Sequence, residues 1–285
     1  MVITDTGRFR RGVRMPAFLA LEEEKTWAPM IEAAAIFLFL DFDGTLTEIA
    51  PRPNEAYLSS RRKQRIRALL ANPAFFVAIM SGRPVDDLKG LIGLDEVFYV
   101  GGHGLEWLAP DGAKNRCAVG PPVADALASL RDQFRGRRAD IRGVFLEDKG
   151  IAVALHYRLA AEDTALAVKS EFLRAVHRHQ QQGVALEIVA GKEVIEAKPA
   201  AQNKGEAAVQ LLKLYGRGAL PIYCGDDFTD EVAFHRVDKE GITILVAETP
   251  RPTAASYYLR KPQRTARISS ASRPRKGNGT LTAVL

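Results

Sequence analysis

The sequence predicts an α/β protein with a doubly wound, Rossmann-type parallel-sheet core and a smaller inserted α+β module. Apolar runs of strand length alternate with amphipathic segments in the first and last parts of the chain, and hairpin patterns replace them in the middle. Hydrophobic residues make up 47% of the 285 residues, enough to bury a sizeable core. The predicted divisions are an N-terminal extension or short surface helix over 1–30, a core over 31–119 and 199–260, the inserted module over 120–198, and a basic, disordered tail over 261–285.

The first predicted strand is the apolar run that starts at Ile36 and delivers Asp41 and Asp43 at its end. A strand buried on both faces reads as continuous hydrophobic residues, and its carboxyl end opens into the crevice where α/β sheets bind ligands. Two carboxylates beside an apolar strand are costly unless a cation neutralises them or one is protonated. The spacing indicates a metal and a reaction, although a solvated acidic turn also fits this stretch alone.

The segments that follow continue the pattern of a parallel sheet. The predicted elements are a helix over 59–70, a strand over 74–80, a helix over 85–92, a strand over 97–100 and a hairpin that turns at 111–112. Alternation of strand and helix is typical of a parallel sheet covered on both faces.

The inserted module is predicted to start after the linker at 120–122. Its elements are a helix with an apolar stripe over 123–134, two strands over 144–147 and 151–158, a helix over 161–182, and a hairpin of strands over 184–189 and 193–197. Parallel-sheet patterning then resumes with a helix over 204–214, a strand over 220–224, the acidic loop 225–231, and a strand over 242–246.

Polar residues stand where four segments of the core reach the same predicted sheet edge: Asp41 with Asp43, Ser81, Lys204, and Asp226 with Asp227 and Asp230. Taken singly, Ser81 and Asp230 could cap helices and Lys204 could be a solvated lysine. Together, carboxylates from two strands can hold a hard cation such as Mg²⁺ and leave positions open for phosphate oxygens. Ser81, the amides after it and Lys204 can hold the remaining phosphate charge, which is the main requirement of phosphoryl transfer. Asp41 is then the nucleophile, and Asp43 the acid and base for the leaving oxygen and for water.

Short motifs relate this chain to a known family. They are the segments 41–46, 81–84, 102–106, 148–150 with 156–158, 191–196, 203–205 and 225–231. In order and spacing they resemble the trehalose-6-phosphate phosphatase family of the haloacid-dehalogenase (HAD) superfamily, over roughly 36–259. The resemblance implies a HAD-like core with a cap domain and Mg²⁺-dependent hydrolysis of trehalose 6-phosphate through an aspartyl-phosphate, the last step of trehalose biosynthesis.

The resemblance also implies roles for individual residues. The catalytic residues would be Asp41, Asp43, Ser81 and Lys204, and the metal would bind Asp41, the backbone carbonyl of Asp43, and Asp226. Phosphate and loop support would come from Gly44, Thr45, Gly82, Asp227 and Asp230. The substrate-binding residues would be Arg83, His103, Glu106, Glu147, Lys149, His156, Arg158, Lys192 and Glu196. Charged residues on hairpins also commonly face solvent without binding a ligand. Arg83 could reach the phosphate or pair with Asp86 or Asp87.

Charge and cysteine content limit the classes of partner. The net charge is +6, but basic residues concentrate near both ends and the middle of the chain is net negative, so a nucleic-acid groove is not indicated. The two cysteines, Cys117 and Cys224, lie far apart, which argues against a disulfide framework and fits a reducing cytoplasm. With no apolar run of membrane-spanning length, we expect a cytoplasmic monomer that acts on a small sugar phosphate.

Two alternatives remain open at this level. One is a phosphatase of the same superfamily acting on another sugar phosphate, such as sucrose phosphate or mannosylglycerate phosphate. The other is a phospho-accepting receiver or a non-catalytic sugar-phosphate-binding module. A receiver would need neither the second acid at Asp43 nor an inserted module, and it would be much shorter.

Overall fold

The computed structural model describes residues 13–18, 29, 32–48, 55–136, 141–191, 193–200 and 203–260. These residues divide into two compact units, a larger one within 13–115 and 203–260 and a smaller one within 116–200. The fold is mixed α/β with a large, mainly parallel sheet, as the sequence predicts. None of the helices in these ranges combines the length and hydropathy that a bilayer crossing requires.

Within the described ranges, the larger sheet has nine strands. The strands before the smaller unit are β1 (Ala17–Phe18), β2 (Ile36–Asp41), β3 (Phe75–Met80), β4 (Phe98–Gly101), β5 (Glu106–Leu108) and β6 (Lys114–Arg116). Those after it are β11 (Leu220–Gly225), β12 (Ile242–Ala247) and β13 (Tyr257–Arg260). Their spatial order is β1-β13-β12-β11-β2-β3-β4-β5-β6. Pairing is parallel from β1 through β4 along this order, and β5 turns back antiparallel to β4.

Helices cover both faces of this sheet, which makes the core doubly wound. Its helices are α1 (Ser60–Leu70), α2 (Val85–Ile92), α5 (Lys204–Tyr215) and α6 (Glu231–Val237). Alternate residues of β2 point to opposite faces, so Leu38 packs in the cluster that holds residues of α1 and α2, and Phe39 in the cluster that holds residues of α5 and α6. Every residue of β2 is buried, which explains its uninterrupted apolar sequence.

The described part of the smaller unit has a four-stranded antiparallel sheet and two helices. Its elements are α3 (Pro121–Gly136), β7 (Phe145–Asp148), β8 (Val153–His156), α4 (Glu162–Gln181), β9 (Leu186–Gly191) and β10 (Val194–Pro199). The strand order is β7-β8-β10-β9. Val153 and Leu155 pack in one apolar cluster with Leu130 and Phe172 of the two helices. One face of the sheet therefore forms the core of this unit, and the polar residues alternate onto the other face.

The described N-terminal end of the larger unit departs from the sequence prediction. Ala17 and Phe18 form an edge strand beside β13, where an extension or a surface helix was expected. The backbones of Arg14 and Thr253 exchange two hydrogen bonds, of 2.8 and 3.0 Å. The edge of β13 offers unpaired backbone groups, and a two-residue strand is too short to leave a periodic signal. The predicted disordered tail, 261–285, lies outside the described residues.

Candidate active site

The candidate active site centres on Asp41, the last residue of β2. Its side chain is buried, and Nζ of Lys204 donates to its Oδ1 at 2.6 Å. Lys204 is the first residue of α5 and also donates to Oδ1 of Asp230 at 2.7 Å and Oγ1 of Thr229 at 3.3 Å. The structure therefore brings together side chains from β2, α5 and the acidic loop, as the convergence of strand ends predicts.

Asp230 is completely buried, and both of its carboxylate oxygens accept hydrogen bonds. Its Oδ2 accepts from the backbone N–H groups of Asp226 and Asp227, both at 3.1 Å. Its Oδ1 accepts from Lys204 and from the hydroxyl of Tyr223 at 2.9 Å. Because a carboxylate offers about four acceptor positions, Asp230 holds the acidic loop in shape and has none left for a metal.

Burial and charge act in opposite directions on Asp41 and Lys204. Burial raises the pKa of Asp41 well above its usual range; Lys204 opposes this, and the nearby carboxylates of Asp230 and Asp226 add to it. Burial alone would lower the pKa of Lys204, but the charges of Asp230 and Asp41 outweigh it and raise the pKa. The lysine therefore remains a fixed positive charge, and a further cation beside Asp41 would favour the ionised nucleophile.

The residues beside Asp41 fit a divalent cation. Carboxylate oxygens of Asp41, Asp226 and Asp230 lie within 4.8 Å of one another. Gly44 has a φ of +100°, and a Cβ built on it would lie 2.1 Å from Oδ2 of Asp226, so the glycine leaves space for that carboxylate. Oγ1 of Thr45 donates to the other oxygen of Asp226 at 3.3 Å. Since Asp230 is already committed, the carboxylates available for a hard cation are those of Asp41 and Asp226.

Asp43 is paired with Arg83. Nε and Nη2 of Arg83 each donate to a different oxygen of Asp43 at 2.7 Å, and Oγ of Ser81 donates to Oδ2 at 3.3 Å. The sequence left the phosphate, Asp86 or Asp87 as partners of Arg83, and the structure adds Asp43 as a bidentate partner. A planar guanidinium matches a carboxylate with two parallel hydrogen bonds.

The segment 81–84 is shaped by the predicted loop 102–106. The backbone N–H of His103 donates to the Ser81 carbonyl at 3.0 Å, and a Cβ at Gly82 would lie 2.4 Å from Nε2 of His103. His103 itself has a left-handed φ of 54°. Oε1 of Glu106 accepts from the backbone N–H of Val85 at the start of α2, at 2.8 Å. His103 and Glu106 therefore contact the segment that carries Ser81 and Arg83.

Polar side chains predicted to bind substrate lie on one face of the smaller sheet. The register places Glu147, Ala154 and Glu196 in one row across β7, β8 and β10. Lys149 donates to Oε2 of Glu196 at 2.5 Å, and Nε2 of His156 and Oε2 of Glu147 are 2.8 Å apart. Glu196 is buried. This face can offer fixed donors and acceptors to hydroxyl groups.

The other residues predicted to bind substrate or support the acidic loop lie in different places. The ring of Phe145 stacks on His156 with centroids 4.2 Å apart. Arg158 is exposed in the turn after β8, and Lys192 lies outside the described residues. Asp227 accepts from the backbone N–H of Phe228 at 2.6 Å and caps the short helical turn of the acidic loop.

Sequence reasoning missed two side chains that contact the site. Thr229 and Tyr223 each bond a member of the buried charge cluster. A hydroxyl residue inside the acidic motif, and a tyrosine in an otherwise apolar strand two residues before Gly225, are the signals that point to them. Both signals are weak in a single sequence, because threonine and tyrosine are common in strands and turns.

A family model described as trehalose-phosphatase matches residues 39–263. The trehalose-phosphate phosphatase of Mycobacterium tuberculosis is 36% identical over 244 residues, covering 81% of this chain and 60% of that protein. A probable trehalose-phosphate phosphatase of Oryza sativa subsp. japonica is 33% identical over 261 residues, covering 83% of this chain and 70% of that protein. The chain therefore spans about 60% of the length of the mycobacterial relative.

Solved structures of trehalose-6-phosphate phosphatases are also similar to this chain. The C-terminal domain of Candida albicans trehalose-6-phosphate phosphatase superposes with a TM-score of 0.74 at 22% identity, covering 87% of this chain and 94% of that one. Trehalose-6-phosphate phosphatase of Aspergillus fumigatus superposes with a TM-score of 0.59 at 26% identity, covering 86% and 94%. The first likeness bears on the fold alone, and the predicted fold class is confirmed.

Proposed function

Because this chain belongs to the trehalose-phosphatase family, we propose that it hydrolyses trehalose 6-phosphate to trehalose and phosphate. The observation that carries the proposal is the buried contact between Asp41 and Lys204 beside Asp226, at the carboxyl edge of a parallel sheet. A carboxylate nucleophile, a fixed cation and a second carboxylate are the parts that phosphoryl transfer needs.

In the proposed reaction, an oxygen of Asp41 attacks phosphorus while the bond from phosphorus to the sugar oxygen breaks. Asp43 donates a proton to the departing oxygen and then takes one from the water that hydrolyses the aspartyl-phosphate. Arg83 and Ser81 fill three of the roughly four acceptor positions of Asp43, so the transferred proton would occupy the fourth, on Oδ1. Lys204, Ser81 and the amides after Ser81 hold the phosphoryl oxygens.

We further propose Mg²⁺ as the cation, held by the carboxylates of Asp41 and Asp226 and the backbone carbonyl of Asp43. The family implies a divalent metal, and the oxygen donors around Asp41 suit a hard cation. When bound, the cation supplies positive charge that offsets the phosphoryl oxygens.

The smaller unit is proposed to be the cap domain that recognises the sugar. Support comes from the polar face that carries Glu147, Lys149, His156 and Glu196. Sites that hydrogen-bond substrate hydroxyls discriminate strongly, because their polar groups are left unpaired by a wrong substrate. Glu196→Gln should raise KM for trehalose 6-phosphate and leave the rate with an aryl phosphate unchanged.

The deciding experiment is phosphate release with Mg²⁺ from trehalose 6-phosphate, sucrose 6-phosphate, glucose 6-phosphate and mannose 6-phosphate. A strong preference for the first supports the proposed substrate. Preference for another sugar would retain the Asp41 chemistry and refute the substrate. No release from any sugar or aryl phosphate would favour a binding module.

A further inference from the structure

Tyr223 places a hydroxyl group inside the charge cluster although the proposed reaction does not use it. The residue lies in β11 and is completely buried. Its ring stacks near Phe39, with centroids 6.3 Å apart, and meets Phe234 edge-on at 5.7 Å. These contacts fix the ring, so the position of its hydroxyl is set by the hydrophobic core.

The hydroxyl of Tyr223 shares an acceptor with Lys204. It donates to Oδ1 of Asp230 at 2.9 Å, and Nζ of Lys204 donates to the same oxygen at 2.7 Å. Lys204 also reaches Oδ1 of Asp41, at 2.6 Å. The ammonium thus lies between two carboxylates, and the phenol bonds only the one that is not the nucleophile.

This arrangement affects how strongly each carboxylate attracts the ammonium. A hydrogen bond from a neutral donor spreads the charge of Asp230 over a second partner. Without that donor, the uncompensated lone pair of Asp230 would interact more strongly with Lys204 and draw Nζ away from Asp41. Burial, together with the carboxylates of Asp230 and Asp41, raises the pKa of Tyr223 well above its usual value, so the phenol stays protonated and keeps donating.

We propose that Tyr223 is a positioning residue whose hydroxyl, acting through Asp230, holds Lys204 against the nucleophile Asp41. The expected loss of kcat rests on the proposed function. The expected position of the Lys204 ammonium does not, because it can be observed without a substrate.

The chain offers a matched control in Tyr99. This tyrosine is also buried, in β4 of the same sheet, and its hydroxyl is also bonded, donating to the Leu94 carbonyl at 2.6 Å and accepting from the Leu94 N–H at 3.1 Å. Tyr99 packs in the cluster on the α1 and α2 face of the sheet, whereas Tyr223 packs on the α5 and α6 face, and the Tyr99 hydroxyl bonds the backbone of Leu94 and not the charge cluster. Tyr223→Phe and Tyr99→Phe each remove one buried, bonded hydroxyl and keep the ring.

The test compares the two variants in the full chain with Mg²⁺. Tyr223→Phe should lower kcat about tenfold, as expected for a lost hydrogen bond to a charged group, and change KM less than about twofold. Tyr99→Phe should melt at a lower temperature than the parent protein and keep the parent kcat. Equal losses of kcat in both variants, or a normal kcat in Tyr223→Phe, would overturn the inference.

A spectroscopic measurement separates this inference from the proposed substrate. In protein labelled with ¹⁵N-lysine, the chemical shift of the Lys204 ammonium should change in Tyr223→Phe and stay at the parent value in Tyr99→Phe, because only the first variant moves Nζ from Asp41 toward Asp230. A chemical shift that is the same in both variants would refute the role of Tyr223. A changed shift in a protein that does not hydrolyse trehalose 6-phosphate would refute the proposed function and support the inference about Lys204.

Discussion

Gly44→Ala tests whether the site depends on space for the Asp226 carboxylate. Gly44 has a left-handed φ of +100°, so any side chain costs about 1–2 kcal/mol of backbone strain. The added Cβ would also lie 2.1 Å from Oδ2 of Asp226, where ordinary contact begins at 3.4 Å. The carboxylate must therefore retreat by more than about 1 Å, and a misplacement of that size costs about a hundredfold in rate.

The assay is phosphate release from trehalose 6-phosphate across a Mg²⁺ titration, with thermal unfolding measured alongside. Gly218→Ala is the matched control, because Gly218 has a φ of +77° and its added Cβ would meet no atom within 4 Å. Both variants should lose the stability that a left-handed φ costs, and Gly44→Ala should lose more because of its contact with Asp226, whereas only Gly44→Ala should lose activity and require more Mg²⁺. Equal activity in the two variants, or an unchanged Mg²⁺ requirement in Gly44→Ala, would refute the reasoning.

Three further predictions concern the chemistry and the smaller unit. Asp41→Asn should abolish phosphate release, whereas Asp43→Asn should phosphorylate slowly and release phosphate more slowly still, as rapid-quench assays would measure; full turnover in either variant contradicts the assigned roles. EDTA should abolish activity and added Mg²⁺ should restore it; phosphate release that persists in EDTA would exclude the proposed metal. Burial acts to raise the pKa of Asp148, but hydrogen bonds from Arg131 and from the Gly150 N–H outweigh it and lower the pKa. The ionised carboxylate therefore stabilises the fold above about pH 4, and this contribution is lost as the pH falls through the folded-state pKa. Asp148→Asn should therefore reduce the free energy of unfolding by about 1 kcal/mol at pH 7, and urea titrations should show the difference shrinking in acid; an equal difference at all pH values would argue against this pair.

Local patterns predicted most of the core elements because their signal is contained in a few adjacent residues. The continuous apolar run of β2 reports burial on both faces, and the alternation in β8 reports one buried face. The edge strand at Ala17 was not predicted, since its pairing depends on the free edge of β13 and not on its own sequence. The roles of the site residues stay predictions until the variants are measured.

The partners of charged side chains could not be read from the sequence. Arg83 had a phosphate or two nearby acids as candidates, yet it bonds Asp43, which precedes it by forty residues. Tyr223 looks like an ordinary strand tyrosine until Asp230 is brought back onto it by the turn of the acidic loop. Such contacts depend on rotamers and on the approach of separate strands, and neither property is encoded in sequence spacing.

The sequence by itself determined the fold class, the family and the residue types that gather at the carboxyl edge of the sheet. Hydrophobic periodicity and short motifs are local, so they survive without knowledge of how distant segments meet. Only the tertiary structure decided that Asp230 is saturated by four donors, that Gly44 makes room for Asp226, and that Lys204 lies between two carboxylates. The contacts of Gly44 with Asp226 and of Lys204 with Asp41 join segments far apart in the chain, and the packing of the core sets their distances to within an ångström. Three of the donors to Asp230 are closer in sequence, but the turn of the acidic loop is needed to bring them onto its carboxylate.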